Sequence, residues 1–188
     1  MIVENPAPRL DITSTAVRAL MLYSLLEFQS GHVTTIRITA EGNAFSIADN
    51  GRGHHIDKSV DGTSYLKFIY NHFDYPFKSG RSLPIQLQGI GMSLVNAMCS
   101  ELTLTVKKPD ATLQLLFRDG QLSESNRTNV ASEETGITVS AQINPQLQGN
   151  GVATNLLEEW LLGVLAVSPS LNLFFNGRQL QSPLHNDA

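Results

Sequence analysis

The sequence predicts an α+β fold: a two-layer sandwich in which a mixed β-sheet is covered on one face by helices. Three observations predict it. Several segments alternate apolar and polar residues with a period of two, as in Ile36 and Ile38 set against Thr35, Arg37 and Thr39. Other segments repeat apolar residues at helical spacing, as in Val17, Leu20, Met21, Leu25 and Phe28. The two kinds are interleaved along the chain, so each layer must cover the other.

The first twelve residues hold two prolines and little periodicity, and read as an arm. Thr13 or Ser14 is the expected cap of a helix reaching about Ser30, with Gly31 as its stop. Leu22 and Leu26 widen its apolar stripe, which implies a helix sandwiched between other elements. Strands are expected over 33–40 and 44–48, joined as a hairpin by Glu41, Gly42 and Asn43. Tyr65, Phe68, Ile69, His72 and Phe73 predict a helix over 64–73. Residues 74–88 have no period, contain Pro76, Gly80 and Pro84, and read as a long functional loop.

A helix is expected over 90–101, and strands over 102–108, 112–118 and 136–143. Turns fall at Pro109-Asp110 and Asp119-Gly120, and 126–135 reads as a polar exposed loop. The apolar run 156–167, ended by Ser168-Pro169, reads as a core helix well short of a membrane span. Residues 171–181 read as a closing hairpin turned at Asn176-Gly177. The domain organisation expected is an arm at 1–12, one domain at 13–181 and a tail at 182–188.

Composition narrows the function. The chain has 188 residues, 41% hydrophobic and 16% charged, with a formal net charge of −4. A polyanion partner needs clustered Lys and Arg, and Lys107-Lys108, which reads as a strand end, is the densest pair. Direct nucleic-acid binding is therefore not expected. The single cysteine, Cys99, falls in the 90–101 helix and reads as a small buried hydrophobe, which fits a reducing compartment. With no signal-like or membrane-length apolar run, a cytoplasmic protein is expected.

Two glycine motifs carry the chemistry. Asp49 follows a strand and is succeeded by Asn50, Gly51, Arg52 and Gly53. A carboxylate held there can accept a hydrogen bond from an exocyclic amine such as that of adenine, and the glycines let the backbone pass close to a flat base. An ordinary Asp-Asn-Gly turn is the plainer reading of this motif alone. Forty residues on, Gly89, Ile90 and Gly91 lead into a helix whose first N–H groups favour phosphate oxygens. A tight loop-to-helix junction would want the same glycines. His54-His55 has no acidic or Cys partner close in sequence and reads as solvated or lid-packing, not as a metal site.

Taken together, the motifs resemble the GHKL superfamily, and within it the ATPase domain of the DNA gyrase B and topoisomerase IV type. Residues 49–53 match its Asp-(Asp/Asn)-Gly-Arg-Gly, and residues 89–100 resemble its Gly-Val-Gly-x-Ser-Val-Val-Asn-Ala-Leu-Ser run. Thr135-Gly136-Ile137-Thr138-Val139 is similar to its Thr-Gly-Thr-x-Val segment. The resemblance implies a Bergerat-type ATP-binding fold over nearly the whole chain. It implies ATP or ADP as ligand, bound by Asp49, Gly51, Gly53, Gly89, Ile90, Gly91, Thr135 and Gly136.

The catalytic helix departs from that pattern. The family carries a water-activating Glu and a Mg²⁺-binding Asn there. Counting back from Gly31-His32, which matches its Gly-His, puts Ala19 and Tyr23 at those positions, with Glu27 at a more distal acidic one. Alanine accepts no proton and tyrosine is a poor ligand for Mg²⁺. Ile85-Gln86 replaces the lid-hinge Gly-Gly, Ile137 replaces the threonine that reaches adenine through water, and His54-His55 replaces Ile-Pro. No catalytic residue and no metal ligand is therefore assigned, and Mg²⁺ is a doubtful cofactor. The leading expectation is a nucleotide-binding module that does not hydrolyse ATP. A nucleotide-free protein-interaction module and an ATPase completed by a partner are the alternatives, with a protein partner or a second copy as the expected associate.

Overall fold

A computed structural model describes residues 11–60, 62–71, 91–147 and 151–182 of the chain. The helices are α1 (Ile12–Gln29), α2 (Tyr65–Asn71), α3 (Met92–Met98) and α4 (Thr154–Val167). The strands are β1 (Thr35–Glu41), β2 (Ala44–Asp49), β3 (Ser59–Val60), β4 (Thr63–Ser64), β5 (Cys99–Lys107), β6 (Thr112–Arg118), β7 (Gln121–Thr128), β8 (Gly136–Ile143), β9 (Asn172–Phe175) and β10 (Arg178–Gln179). The expected arm before residue 11, the 74–88 loop, Gly89 and Ile90, and the tail from 183 lie outside the described residues.

Eight strands form one sheet in the order β10-β9-β1-β2-β8-β5-β6-β7. The pairings are antiparallel except that of β1 with β9, so the sheet is mixed. Alternation along each strand decides which face is covered. Ile36, Ile38 and Ala40 on β1, Leu102, Leu104 and Val106 on β5, and Val139, Ala141 and Ile143 on β8 all point into the core. Arg37, Thr39, Gln114, Ser140 and Gln142 point to solvent on the other face. The helices close the buried face through Val17, Leu20 and Met21 of α1, Leu66 and Tyr70 of α2, Val95 of α3, and Leu157, Leu161 and Leu165 of α4. Burying each such side chain contributes about 1.5–3 kcal/mol relative to exposure. The α+β two-layer fold is the one the sequence predicts.

The α1 cap is Asp11, not Thr13 or Ser14. Its carboxylate accepts the Ser14 N–H at 2.9 Å and the Ser14 hydroxyl at 2.5 Å, and also the Ala153 N–H at 2.6 Å before α4. An aspartate at this earlier position thus satisfies the helix start and ties it to a second helix, which neither hydroxyl does. At the far end Ser30 and Gly31 return their N–H groups to Leu26 and Phe28, and Gly31 takes φ of 79°.

Three other expectations change. The helix expected over 90–101 stops at Met98, and Cys99, Ser100 and Glu101 open β5, where pairing with β8 and β6 outweighs the helical pattern. Cys99 therefore lies in a strand. It is buried, its S–H donates to the Val95 carbonyl, and burial pushes its thiol up to about 12, so it behaves as a hydrophobe. The expected loop 126–135 begins with the end of β7, an edge strand polar on both faces. A short β3–β4 hairpin, absent from the sequence reading, precedes α2. The Asp119-Gly120 and Asn176-Gly177 turns adopt positive φ at both residues, as two-residue hairpins require.

Candidate nucleotide site

The site stands where β2 ends beneath α1. Both oxygens of the Asp49 carboxylate are held by the protein. Ser24, buried on α1, donates its hydroxyl to Oδ2 at 2.5 Å. Oδ1 accepts the N–H of Gly51 at 3.0 Å and, more weakly, that of Ile137 at 3.4 Å. A carboxylate offers about four acceptor positions. Three are used, which leaves one on Oδ2 for an outside donor.

Asp49 lines a cavity of about 420 Å³ together with Tyr23, His54, Tyr65, Met92 and Ile137. This volume falls in the ordinary range for small-molecule sites. Its charged rim is internally paired. Glu27 accepts Nε and Nη2 of Arg52 at 3.0 and 2.8 Å, and the Arg52 guanidinium holds the Glu27 carboxyl below its usual range. Lys108 Nζ donates to the carbonyls of Arg52 at 2.7 Å and Gly53 at 3.3 Å, bracing the loop that follows Asp49. Lys108 is thus part of the rim and not merely a strand end.

Tyr23 is half-buried against the start of α3. Burial raises its hydroxyl above the ordinary range, and the neighbouring Met92 backbone opposes that shift. The ring of His54 turns inward, and its Nε2 is buried with no hydrogen-bond partner. Burial lowers its pKa; Asp49 and Glu27 oppose that shift, and Lys108 and His55 add to it. His54 is therefore neutral near pH 7. It is not the solvated residue that the His-His pair suggests.

The predicted glycines serve the fold directly. A Cβ on Gly51 would lie 2.7 Å from Val33 Cγ2 and 3.2 Å from Asp49 Oδ1. One on Gly53 would meet the Lys107 carbonyl at 2.9 Å, and one on Gly136 the Asp49 carbonyl at 2.0 Å. These contacts fix β2, β5 and β8 around Asp49. Gly53 lines the main cavity, whereas Thr135 and Gly136 line a separate polar recess of about 390 Å³ shared with Asp49 and Lys107. Gly91 caps α3, with open space where a Cβ would stand. Gly89 and Ile90 lie outside the described residues.

Ser24 was not among the predicted site residues. Its signal was a polar side chain on the apolar stripe Val17–Leu20–Met21, one turn further on. Among the described residues no group of three or more His, Cys, Asp or Glu side chains could hold a metal ion. At the position that the resemblance assigns to a Mg²⁺ ligand stands Tyr23, whose half-buried phenol is a poor donor to that ion, so the described residues do not fit a metal. The open position on Asp49 fits one amine-bearing heterocycle.

Comparison with known proteins agrees with this architecture. The fold matches that of the topoisomerase IV ATP-binding domain of Francisella tularensis, solved in complex with a small-molecule inhibitor. The TM-score is 0.72 at 20% identity, over 88% of this chain and 84% of that one. In sequence the chain is 27% identical over 155 residues to the B subunit of DNA topoisomerase 4 from Mycoplasma genitalium, covering 74% of this chain and 24% of that protein. It is 26% identical over 133 residues to the corresponding protein of Borreliella burgdorferi, covering 71% and 21%. It is 30% identical over 128 residues to the chloroplastic/mitochondrial DNA gyrase B protein of Nicotiana benthamiana, covering 61% and 18%. The chain thus spans about a fifth to a quarter of the length of these relatives. No protein-family model matches it.

Proposed function

We propose that this chain, which has the ATP-binding fold of the gyrase B and topoisomerase IV type, is an adenine-nucleotide-binding module that does not hydrolyse its ligand. The observation that carries the reading is Asp49: a carboxylate on a ligand-sized cavity, fixed by three internal donors and keeping one acceptor position open. Such a group binds an exocyclic amine with directional strength.

The nucleotide-binding set in this proposal is Asp49, Gly51, Gly53, Gly89, Ile90, Gly91, Thr135 and Gly136. Hydrolysis would need a group to activate water, and Ala19, at the position the resemblance assigns to it, has none. The ligand then acts as an effector or structural element, ATP or ADP without a requirement for Mg²⁺, for a protein partner or a second copy. Among the described residues no helix is long and apolar enough to cross a membrane. A cytoplasmic location remains part of the proposal.

Calorimetric titration with ADP and a non-hydrolysable ATP analogue, with and without Mg²⁺, tests this reading. Saturable binding lost in Asp49→Asn, with no phosphate released from ATP, is the expected result. Absence of heat up to millimolar ligand would overturn it.

A second reading has its own support. The contacts that exclude a Cβ from Gly51, Gly53 and Gly136 are all internal, and the described rim charges are paired inside the protein. A nucleotide-free interaction module would keep these features for stability alone. The same titration separates the two.

A further inference from the structure

Helix α4 is apolar on two sides. Leu157, Leu161 and Leu165 are buried against the core. A second row, Leu156, Trp160, Gly163 and Val167, runs along the outer side. Leu156 is 53% and Val167 83% exposed, and nothing lies within 4 Å of where a Cβ on Gly163 would stand. A surface helix ordinarily turns polar residues outward, and a helix apolar on both sides is ordinarily covered on both. The outer row is spaced by four, three and four residues, the spacing of the seam between two coiled helices.

The charges beside this row are complementary. The Arg18 guanidinium of α1 lies over the Trp160 ring, 5.3 Å from its centroid. Apart from that ring it is unpartnered: its Nε is buried without a hydrogen bond, and it forms no ion pair among the described residues. Glu159, exposed, likewise has no hydrogen bond or ion pair among the described residues, whereas its neighbour Glu158 pairs with Arg178. At 3.6 residues per turn, Glu159 and Trp160 stand on opposite sides of the midline of the row. An unpaired anion therefore flanks one side of the apolar row and an unpaired cation the other.

We propose that the outer face of α4 is a homodimer interface, in which two copies pack this helix in parallel about a two-fold axis. Such an axis sets opposite flanks of the two helices together. Each Glu159 then meets the Arg18 of the second copy, so the patch is complementary to itself, as a two-fold interface requires. An antiparallel pair would set the Glu159 flank against its own copy. Leu156, Trp160 and Val167 form the seam, and Gly163 leaves room in it for the indoles. A seam of 14 residues is about 21 Å long, short for an obligate interface, so the dimer is concentration-dependent. None of the residues lining the main cavity belongs to α4, and the proposal does not depend on nucleotide binding.

Sedimentation velocity on the whole chain without nucleotide, from about 1 to 300 µM, tests it, with a monomer-to-dimer transition expected inside that range. Val167→Glu, at an exposed position, is expected to leave the melting temperature unchanged and to weaken the dimer at least about tenfold. Arg18→Glu and Glu159→Arg should each weaken it, because each places like charges together. An equimolar mixture of those two variants should associate again, since a mixed pair carries opposite charges at both contacts. A chain that stays monomeric throughout would overturn the proposal and leave the face to residues 1–10 of the same chain or to a different protein. A dimer unaffected by Val167→Glu, or a mixture that associates no better than either variant alone, would overturn it too.

Discussion

The Ser24 hydroxyl donates to Asp49 Oδ2 at 2.5 Å, joining the middle of α1 to the end of β2 across 25 residues of chain. Ser24 is buried, so water cannot replace it. Ser24→Ala is expected to cost roughly 1.5–3 kcal/mol, the range for a hydrogen bond to a charged group. Urea denaturation measures the loss. Ser24→Thr, which keeps the hydroxyl, should recover most of it, and a Ser24→Ala midpoint equal to the parent's would show that Asp49 does not depend on this bond.

The glycines divide into two classes. A Cβ at Gly136 would stand 2.0 Å from the Asp49 carbonyl, on a backbone at φ of 136° that side chains rarely adopt. Gly136→Ala is therefore expected to cost more than about 3 kcal/mol or to prevent folding. Gly91 has open space in the same direction, and Gly91→Ala should cost less than about 1 kcal/mol, a cap effect only. Thermal melting of the two variants side by side checks the contrast, which equal losses would contradict.

Asp11→Ala removes the α1 cap and the link to Ala153 together. A cap alone is worth about 1 kcal/mol, and the Ala153 N–H would be left without this carboxylate, so a loss of about 2 kcal/mol is expected in urea denaturation. Asp11→Asn keeps an acceptor and should lie between the two.

Stability should fall as the solution is acidified below neutrality, and His54 sets the first window. Burial depresses its pKa in the folded chain, whereas the unfolded residue titrates near 6.5. Between those values the unfolded state takes up a proton that the folded state refuses. Its contribution is thus complete above about pH 6.5 and is lost as pH falls through the folded value. His54→Leu should remove that slope in urea midpoints measured from about pH 7.5 to 5. Glu27, held down by Arg52, acts in a lower window: its contribution is present above the ordinary carboxylate range and lost as pH falls through the depressed value. It should be the smaller effect, because the Arg52 side chain is 60% exposed.

What could be read from the sequence was periodic or local. The stripe of α1, the apolar run of α4 and the alternation of β1, β5 and β8 each bury one face, and burial writes its period into the residues. β7 was invisible because an edge strand with Ser123, Glu124, Ser125 and Asn126 exposed buries neither face. Cys99-Ser100-Glu101 suits either a helix end or a strand start, and only the pairing with β8 decides. In the site, the Asp49 motif was legible because its residues are adjacent. The partners that give it meaning are not adjacent: Ser24 against Asp49, Tyr23 against Met92, and Lys108 against Arg52 lie about 25 to 70 residues apart.

The sheet order carries a consequence for how the chain is made. β1 is central, yet one of its two neighbours is β9, paired in parallel at Thr35↔Asn172. The Asn176 side chain then clasps the backbone of Ala40, accepting its N–H and donating to its carbonyl. While the ribosome is still adding residues before 172, β1 has its β2 edge covered and its other edge open. A nascent chain in that interval presents an unpaired strand with Ile36 and Ile38 on one face, a template for a wrong partner. Completion waits for nearly the whole described chain to be available. Folding of this domain is therefore expected to wait on long-range pairing and not to follow the growing N-terminus stepwise.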